Sequence, residues 1–297
     1  MDTDPLHTDV FHLRSGRPIG VTEFGNRSSP HVVVLSHPAP GSSLFDPDPE
    51  VTAQFDVRVI ALDRPGYGLS NVIPGQTVTV AHAADDIAEY LAAQNVTNVG
   101  AAGWSAGGRV ALALAATRPE LVSGVAVVAT PAPDSVVPWV GDDNRAMLKS
   151  FRAAPPDDAA RMLAAMFNEF FGVQPKPDAL LTQLITPGID DAIAHSAHDR
   201  LINMLESSAL QGNLGTAADI IAYTLLDWGF DPREVTAPTA LFYGADDSAI
   251  GPQHGEWYRA EVPNAHLELV PHVGHLVMIS AWEKVLTHLT GQFSGTS

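Results

Sequence analysis

No cysteine occurs anywhere in the chain, which excludes disulfides, thiol nucleophiles and thiolate metal sites together. Positive charge is scarce as well: 16 Lys and Arg face 34 Asp and Glu, for a formal net charge of −18. A surface of that sign repels phosphate backbones and anionic headgroups, so neither nucleic acid nor a membrane is expected as a partner. The excess acid reads as a solvated face that aids solubility. Long apolar runs are missing too, since Val125-Ala126-Val127-Val128-Ala129 falls far short of the ~20 residues that cross a bilayer. The opening Met1-Asp2-Thr3-Asp4-Pro5-Leu6-His7 carries acids where a secretory leader has basic residues, and no apolar segment follows. These absences predict a soluble, cytoplasmic protein. Beyond the short polar tail Ser294-Gly295-Thr296-Ser297 there is no low-complexity tract, and no internal repeat.

What is present is an ordinary folding composition, 45% hydrophobic and 17% charged over 297 residues, enough for one large core with an inserted subdomain. Residues 8–14 and 18–25, joined across Ser15-Gly16-Arg17, read as a hairpin. The β-branched runs Val32-Val33-Val34-Leu35 and Val57-Arg58-Val59-Ile60-Ala61-Leu62 suit strands buried on both faces. Val80, Ala84, Ile87, Ala88 and Leu91 recur at helical spacing. A strand at 98–104, an alanine-rich helix from Ser105 to Thr117 stopped by Pro119, and a strand at 122–130 follow. Strand and helix resume with 239–244, 253–261, 266–270 and a final helix from Val277 to Leu289. The alternation predicts a mostly parallel sheet flanked by helices. Residues 131–230 interrupt it with helical spacing and no convincing strand. They are expected to form a helical cap inserted after the sixth strand, between core segments 1–130 and 231–297.

The chemistry begins at Gly103-Trp104-Ser105-Ala106-Gly107. A Gly-x-Ser-x-Gly sequence signals a nucleophile only where a strand ends and a helix begins at the serine, because that turn holds the serine in a strained conformation. The flanking sequence meets both conditions. Neither Gly-x-Gly-x-x-Gly nor a P-loop Lys-Ser/Thr is present there, so a phosphate cradle is disfavoured. Serine is a weak nucleophile and needs a histidine base, which in turn needs an acid to set its tautomer. The strand ending at Gly244 leads to the adjacent carboxylates Asp246 and Asp247. The strand ending at Val270 leads to His272 and His275. Spacing alone leaves the choice within each pair open.

With His37-Pro38-Ala39-Pro40-Gly41 and Asp63-Arg64-Pro65-Gly66-Tyr67-Gly68-Leu69-Ser70, these motifs resemble the α/β-hydrolase fold superfamily over nearly the whole chain. The resemblance implies an α/β fold with an eight-stranded, mostly parallel sheet, and a Ser105-His275-Asp247 triad. Asp246 and His272 then become turn and loop residues. Asp134, after the sixth strand, is where a minority of the family places its acid. The oxyanion donors implied are the backbone N–H groups of Ala106 and Ala39, although Pro38 stands where relatives have glycine and has no N–H of its own. His37 and the Asp63–Ser70 stretch read as structural.

Trp104, Met166, Phe167 and Phe170 are expected to line an apolar pocket over Ser105. His195, His198 and Asp199 could grip a metal only weakly by spacing, and a solvated surface is preferred, so neither metal nor cofactor is expected. The resulting expectation is a serine hydrolase acting on an ester, lactone or related carbonyl compound as its small-molecule substrate. The alternatives on the same triad are carbon–carbon bond hydrolysis, amide or peptide hydrolysis and acyl transfer. The Pro40-Gly41-Ser42 loop resembles proline-iminopeptidase relatives. A ligand-binding protein with little turnover is the alternative of a different class.

Overall fold

The computed structural model describes residues 7–72, 75 and 77–292; the opening segment 1–6 and the polar tail 294–297 considered above lie outside the described residues. The strands are β1 (His7–His12), β2 (Pro18–Gly25), β3 (Val32–Ser36), β4 (Arg58–Leu62), β5 (Val99–Trp104), β6 (Val122–Val128), β7 (Thr239–Gly244) and β8 (Ala265–Val270). They form one eight-stranded sheet in the order β1-β2-β4-β3-β5-β6-β7-β8. β2 runs antiparallel to both neighbours, and every other pair is parallel. The mostly parallel α/β sheet expected from the sequence is therefore present.

The central strands are apolar throughout because both faces are covered. Successive side chains point to opposite faces, so Val34, Ile60, Leu62 and Ala101 join one buried cluster while Val33, Leu35, Val59, Ala61 and Ala102 join the other. The first face is covered by α2 (Val80–Ala93) and α3 (Ala106–Thr117). Thr79 caps α2 by accepting the His82 N–H. The short helix α1 (Pro49–Thr52) precedes them, with Asp48 accepting from Glu50 and Val51 at its start.

Between β6 and β7 lie α4 (Asp142–Ser150), α5 (Pro156–Phe171), α6 (Pro177–Leu181), α7 (Asp191–Ser196), α8 (His198–Ser208) and α9 (Leu214–Thr224), with no strand among the described residues. This insertion has two allegiances. Leu148, Phe151, Leu163 and Ile221 make a small core of its own. Leu180, Leu201, Met204 and Leu205 instead belong to the cluster under the second sheet face.

The chain closes with α10 (Pro252–Glu261), α11 (Val277–Ser280) and α12 (Trp282–Thr290). The sequence predicts one helix from Val277 to Leu289; the structure breaks it at Ala281, at φ −100° and ψ 2°. The break accompanies the burial of Trp282, whose indole N–H donates to Thr52 Oγ1 at 2.9 Å.

Candidate active site

Ser105 sits between the last residue of β5 and the first of α3, with φ 54° and ψ −119°. A positive φ is uncommon for a residue with a side chain and is kept only where the surroundings impose it. Here the Ser105 N–H donates to Val128 O at 2.7 Å, which ties the turn to the neighbouring strand. The flanking glycines are required by space: a Cβ on Gly103 would collide with the Gly107 carbonyl, and one on Gly107 with the Ser36 carbonyl.

Two loops at the ends of the strands supply a buried carboxylate and imidazole. His275, between β8 and α11, places Nδ1 2.8 Å from Asp247 Oδ2, in the loop after β7. The other Asp247 oxygen accepts the N–H groups of Ala249 and Ile250, both at 2.9 Å. Burial pushes the Asp247 carboxyl up, but the hydrogen bond and charge of His275 and these two N–H groups outweigh it, and the group titrates below its ordinary value. Ser105 Oγ makes no hydrogen bond among the described residues. Catalytic contacts of this kind commonly close only when substrate is bound.

The His275 loop is also held from the insertion. Asp190 Oδ1 accepts the Gly274 N–H at 2.9 Å, and Oδ2 accepts those of Leu276 at 3.3 Å and Thr186 at 2.8 Å. Thr186 Oγ1 accepts the His275 N–H at 3.3 Å. On the other side, the Trp104 indole donates to the His275 carbonyl at 3.0 Å, so the residue before Ser105 is bonded directly to the imidazole's own backbone.

Ala106 and Ala39 each present a backbone N–H with no acceptor among the described residues. A backbone N–H without a protein partner, as Ala106 presents directly after Ser105, is free to receive an incoming oxygen.

A family model described as the alpha/beta hydrolase fold matches residues 31–281. The chain belongs to that family. Among curated proteins, the α/β hydrolase is 26% identical over 265 residues to a pimeloyl-[acyl-carrier protein] methyl ester esterase of Nitrosomonas europaea, covering 88% of this chain and 94% of the other. It is 25% identical to a 2-hydroxy-6-oxononadienedioate/2-hydroxy-6-oxononatrienedioate hydrolase of Dechloromonas aromatica, over 82% of this chain and 80% of that one. An esterase from Thermogutta terrifontis shares the fold with a TM-score of 0.69 at 20% identity, covering 94% of this chain and 95% of its own.

The α/β hydrolase separates the candidates that spacing left open. His272 is 96% exposed and lies 3.8 Å from Asp246, itself 44% exposed, whereas the His275 and Asp247 side chains are 10% and 0% exposed. Asp134 is engaged elsewhere, paired with Arg145 at 2.7 Å and accepting from Trp139 and Val140. His198 faces Asp199 and Asp178 on the exposed surface, and no group of metal-binding side chains occurs among the described residues.

The expected pocket wall needs correction. Trp104 is 1% exposed, packs on Phe45 and donates to the His275 carbonyl, so nearly all of its ring is spent bracing the His275 loop. Phe170 is 77% exposed, while Met166 and Phe167 pack on the insertion's own cluster. None of these three residues lines the apolar cavity of about 250 Å³ between α5, α9 and the loop after β4. Their helical spacing showed which face of α5 was apolar but not what that face meets.

Residues that sequence reasoning missed make long-range contacts. Asp190, Thr186 and Asp219 come from the insertion and act on loops far away in the chain. Arg109 is fully buried in α3, held between the Tyr223 and Trp228 rings at 4.6 and 4.8 Å, and donates to Pro131 O. A cation in an alanine-rich helix was the only signal for it.

Proposed function

We propose that this α/β hydrolase is a serine esterase with Ser105 as nucleophile, His275 as base and Asp247 as the acid that orients it. The observation that carries the reading is the buried His275–Asp247 pair, hydrogen-bonded at 2.8 Å and tied through Trp104 to the strained turn bearing Ser105. Asp247 accepts from Nδ1, which leaves Nε2 as the lone-pair nitrogen available to act as the base. His275 takes the Ser105 proton as Oγ adds to the ester carbonyl, and the developing oxyanion is received by the N–H groups of Ala39 and Ala106. The same proton then leaves on the alcohol. Water, deprotonated by His275, cleaves the acyl-enzyme to release the acid and restore Ser105. The sequence of steps calls for no metal or cofactor.

Residues 131–230 act in this reading as a cap over the strand-end loops, with 1–130 and 231–297 as the core. The substrate is a small or medium-sized ester with an apolar acyl part and a compact alcohol. The methyl ester esterase relatives support the alcohol side of that assignment. The relative that is a hydrolase of 2-hydroxy-6-oxononadienedioate favours one second reading, hydrolytic cleavage of a carbon–carbon bond by the same residues.

A panel of methyl and p-nitrophenyl esters of graded chain length, lactones, aminoacyl amides and a vinylogous 1,5-diketo acid separates the readings. Esters are expected to give the highest kcat/KM, with turnover abolished in Ser105→Ala. A preference for the diketo acid by more than tenfold would move the assignment to carbon–carbon hydrolysis, and ester turnover persisting in Ser105→Ala would remove the mechanism.

A further inference from the structure

We propose that Arg64 and Asp219 are positioning residues that fix the Pro38–Ala39 peptide from outside the reaction, and through it the donor N–H of Ala39. The inference rests on the proposed role of Ala39 and adds what holds that donor in place. Arg64 follows β4 in the Asp63–Ser70 turn and is only 4% exposed. One side of its guanidinium donates to the carbonyls of His37 and Pro38, the latter at 2.9 Å from Nη2. The other side meets Asp219 of α9, with Nε at 3.2 Å and Nη2 at 2.7 Å from Oδ2. Tyr67 donates its hydroxyl to that same oxygen at 2.8 Å.

His37 completes the grip. The Arg64 backbone N–H donates to His37 Nε2 at 3.1 Å, so that nitrogen must be the acceptor and Nδ1 carries the proton. Nδ1 lies 2.8 Å from the Pro38 carbonyl and donates to it. Two donors therefore hold one carbonyl oxygen. In a trans peptide the C=O and the following N–H point in opposite directions. With the Pro38 oxygen held on the Arg64 side, the Ala39 N–H is turned to the opposite side, where no described residue accepts it. Pro38, at the place where relatives have glycine, removes a further degree of freedom by fixing its own φ.

The anchor for this arrangement is not in the core. Asp219 belongs to the insertion, so the seating of α9 sets the direction of a bond used only in the transition state. Such a bond contributes to kcat and little to substrate binding.

The test uses Asp219→Asn and the double variant Arg64→Met/Asp219→Leu, in which apolar side chains of similar size replace the buried pair and preserve packing. Steady-state kinetics on an ester that the wild type hydrolyses are read beside the affinity for a trifluoromethyl ketone, whose adduct with Ser105 places an oxyanion where the tetrahedral intermediate has one. Thermal melting reports folding. The double variant is expected to lose roughly 10²-fold in kcat, the scale of one oxyanion donor, with KM nearly unchanged and ketone affinity falling in parallel. Arg64→Lys, which keeps the charge but not the planar fork, should move in the same direction if the double variant does not fold. A lowered melting temperature with wild-type kcat and ketone affinity would overturn the inference and leave the esterase reading standing. A wild type that neither hydrolyses the esters nor binds the ketone would overturn both.

Discussion

Asp246 and Asp247 are adjacent, identical in chemistry and opposite in fate. The Asp247 side chain turns inward, where it accepts from His275, Ala249 and Ile250; that of Asp246 stays in solvent opposite the exposed His272. Asp247→Asn should lower kcat by about 10⁴, because an amide favours the wrong imidazole tautomer and cannot stabilise the imidazolium. Asp246→Asn should leave steady-state kinetics within about twofold, since a surface ion pair of this kind contributes little. Equal losses in the two variants would contradict the assignment. Chain position relative to the family motif points to Asp247, the residue whose carboxylate meets His275, and nothing local distinguishes it from Asp246. The same limit applies to Trp104: an aromatic residue beside Ser105 reads equally as pocket wall or brace, and its burial and its bond to the His275 carbonyl are visible only in the structure.

Among the elements, those that carry their own periodicity were legible and those set by distant contacts were not. β3, β4 and β5 were readable because burial on both faces leaves no polar interruption, and α2 because its apolar residues keep one stripe. The division between α11 and α12 was not readable, since the apolar pattern continues across Ala281. The polar clamp from the segment between α6 and α7 left no trace either, because Asp190 and Gly274 lie far apart in sequence. That clamp makes a prediction of its own. Asp190→Ala removes the acceptor of the Thr186, Gly274 and Leu276 N–H groups. Unsatisfied buried donors cost about 1–3 kcal/mol apiece, so urea unfolding should show a loss of at least one such increment. Activity should fall as well because the His275 loop is loosened. Unchanged stability would mean that water replaces the carboxylate without cost.

For the whole molecule, the formal net charge is −18, and no described helix is long and apolar enough to cross a membrane. Its pH response has an identifiable source. Burial drives His37 well below its ordinary value, with the Arg64 charge adding to the effect. His254 is lowered to about 4, first by burial and further by the nearby Arg109 cation. Groups depressed in the folded state stabilise it above their unfolded pKa, and that stability is lost as pH falls through the folded value. Asp46 acts in the opposite sense: burial raises it to about 6, so its contribution is present at low pH and is lost as pH rises through that value. Asp63 and Asp86 are raised by burial in the same sense as Asp46, so the histidine contribution is isolated by substitution. His254→Gln keeps an acceptor for the Ala132 N–H while removing one titrating site. Relative to this variant, the wild type should lose about 1.4 kcal/mol per pH unit as pH drops below His254's ordinary range. Parallel urea-unfolding curves for the two proteins across this range would contradict that origin.

The catalytic consequences depend on Ser105 being a nucleophile, and the most direct measurement is covalent labelling. Intact mass spectrometry after brief exposure of the folded protein to a fluorophosphonate should show one adduct, located by peptide mapping on Ser105. It should be absent from Ser105→Ala and strongly slowed in His275→Ala. No adduct on a folded wild type, or an adduct that persists in Ser105→Ala, would contradict the account.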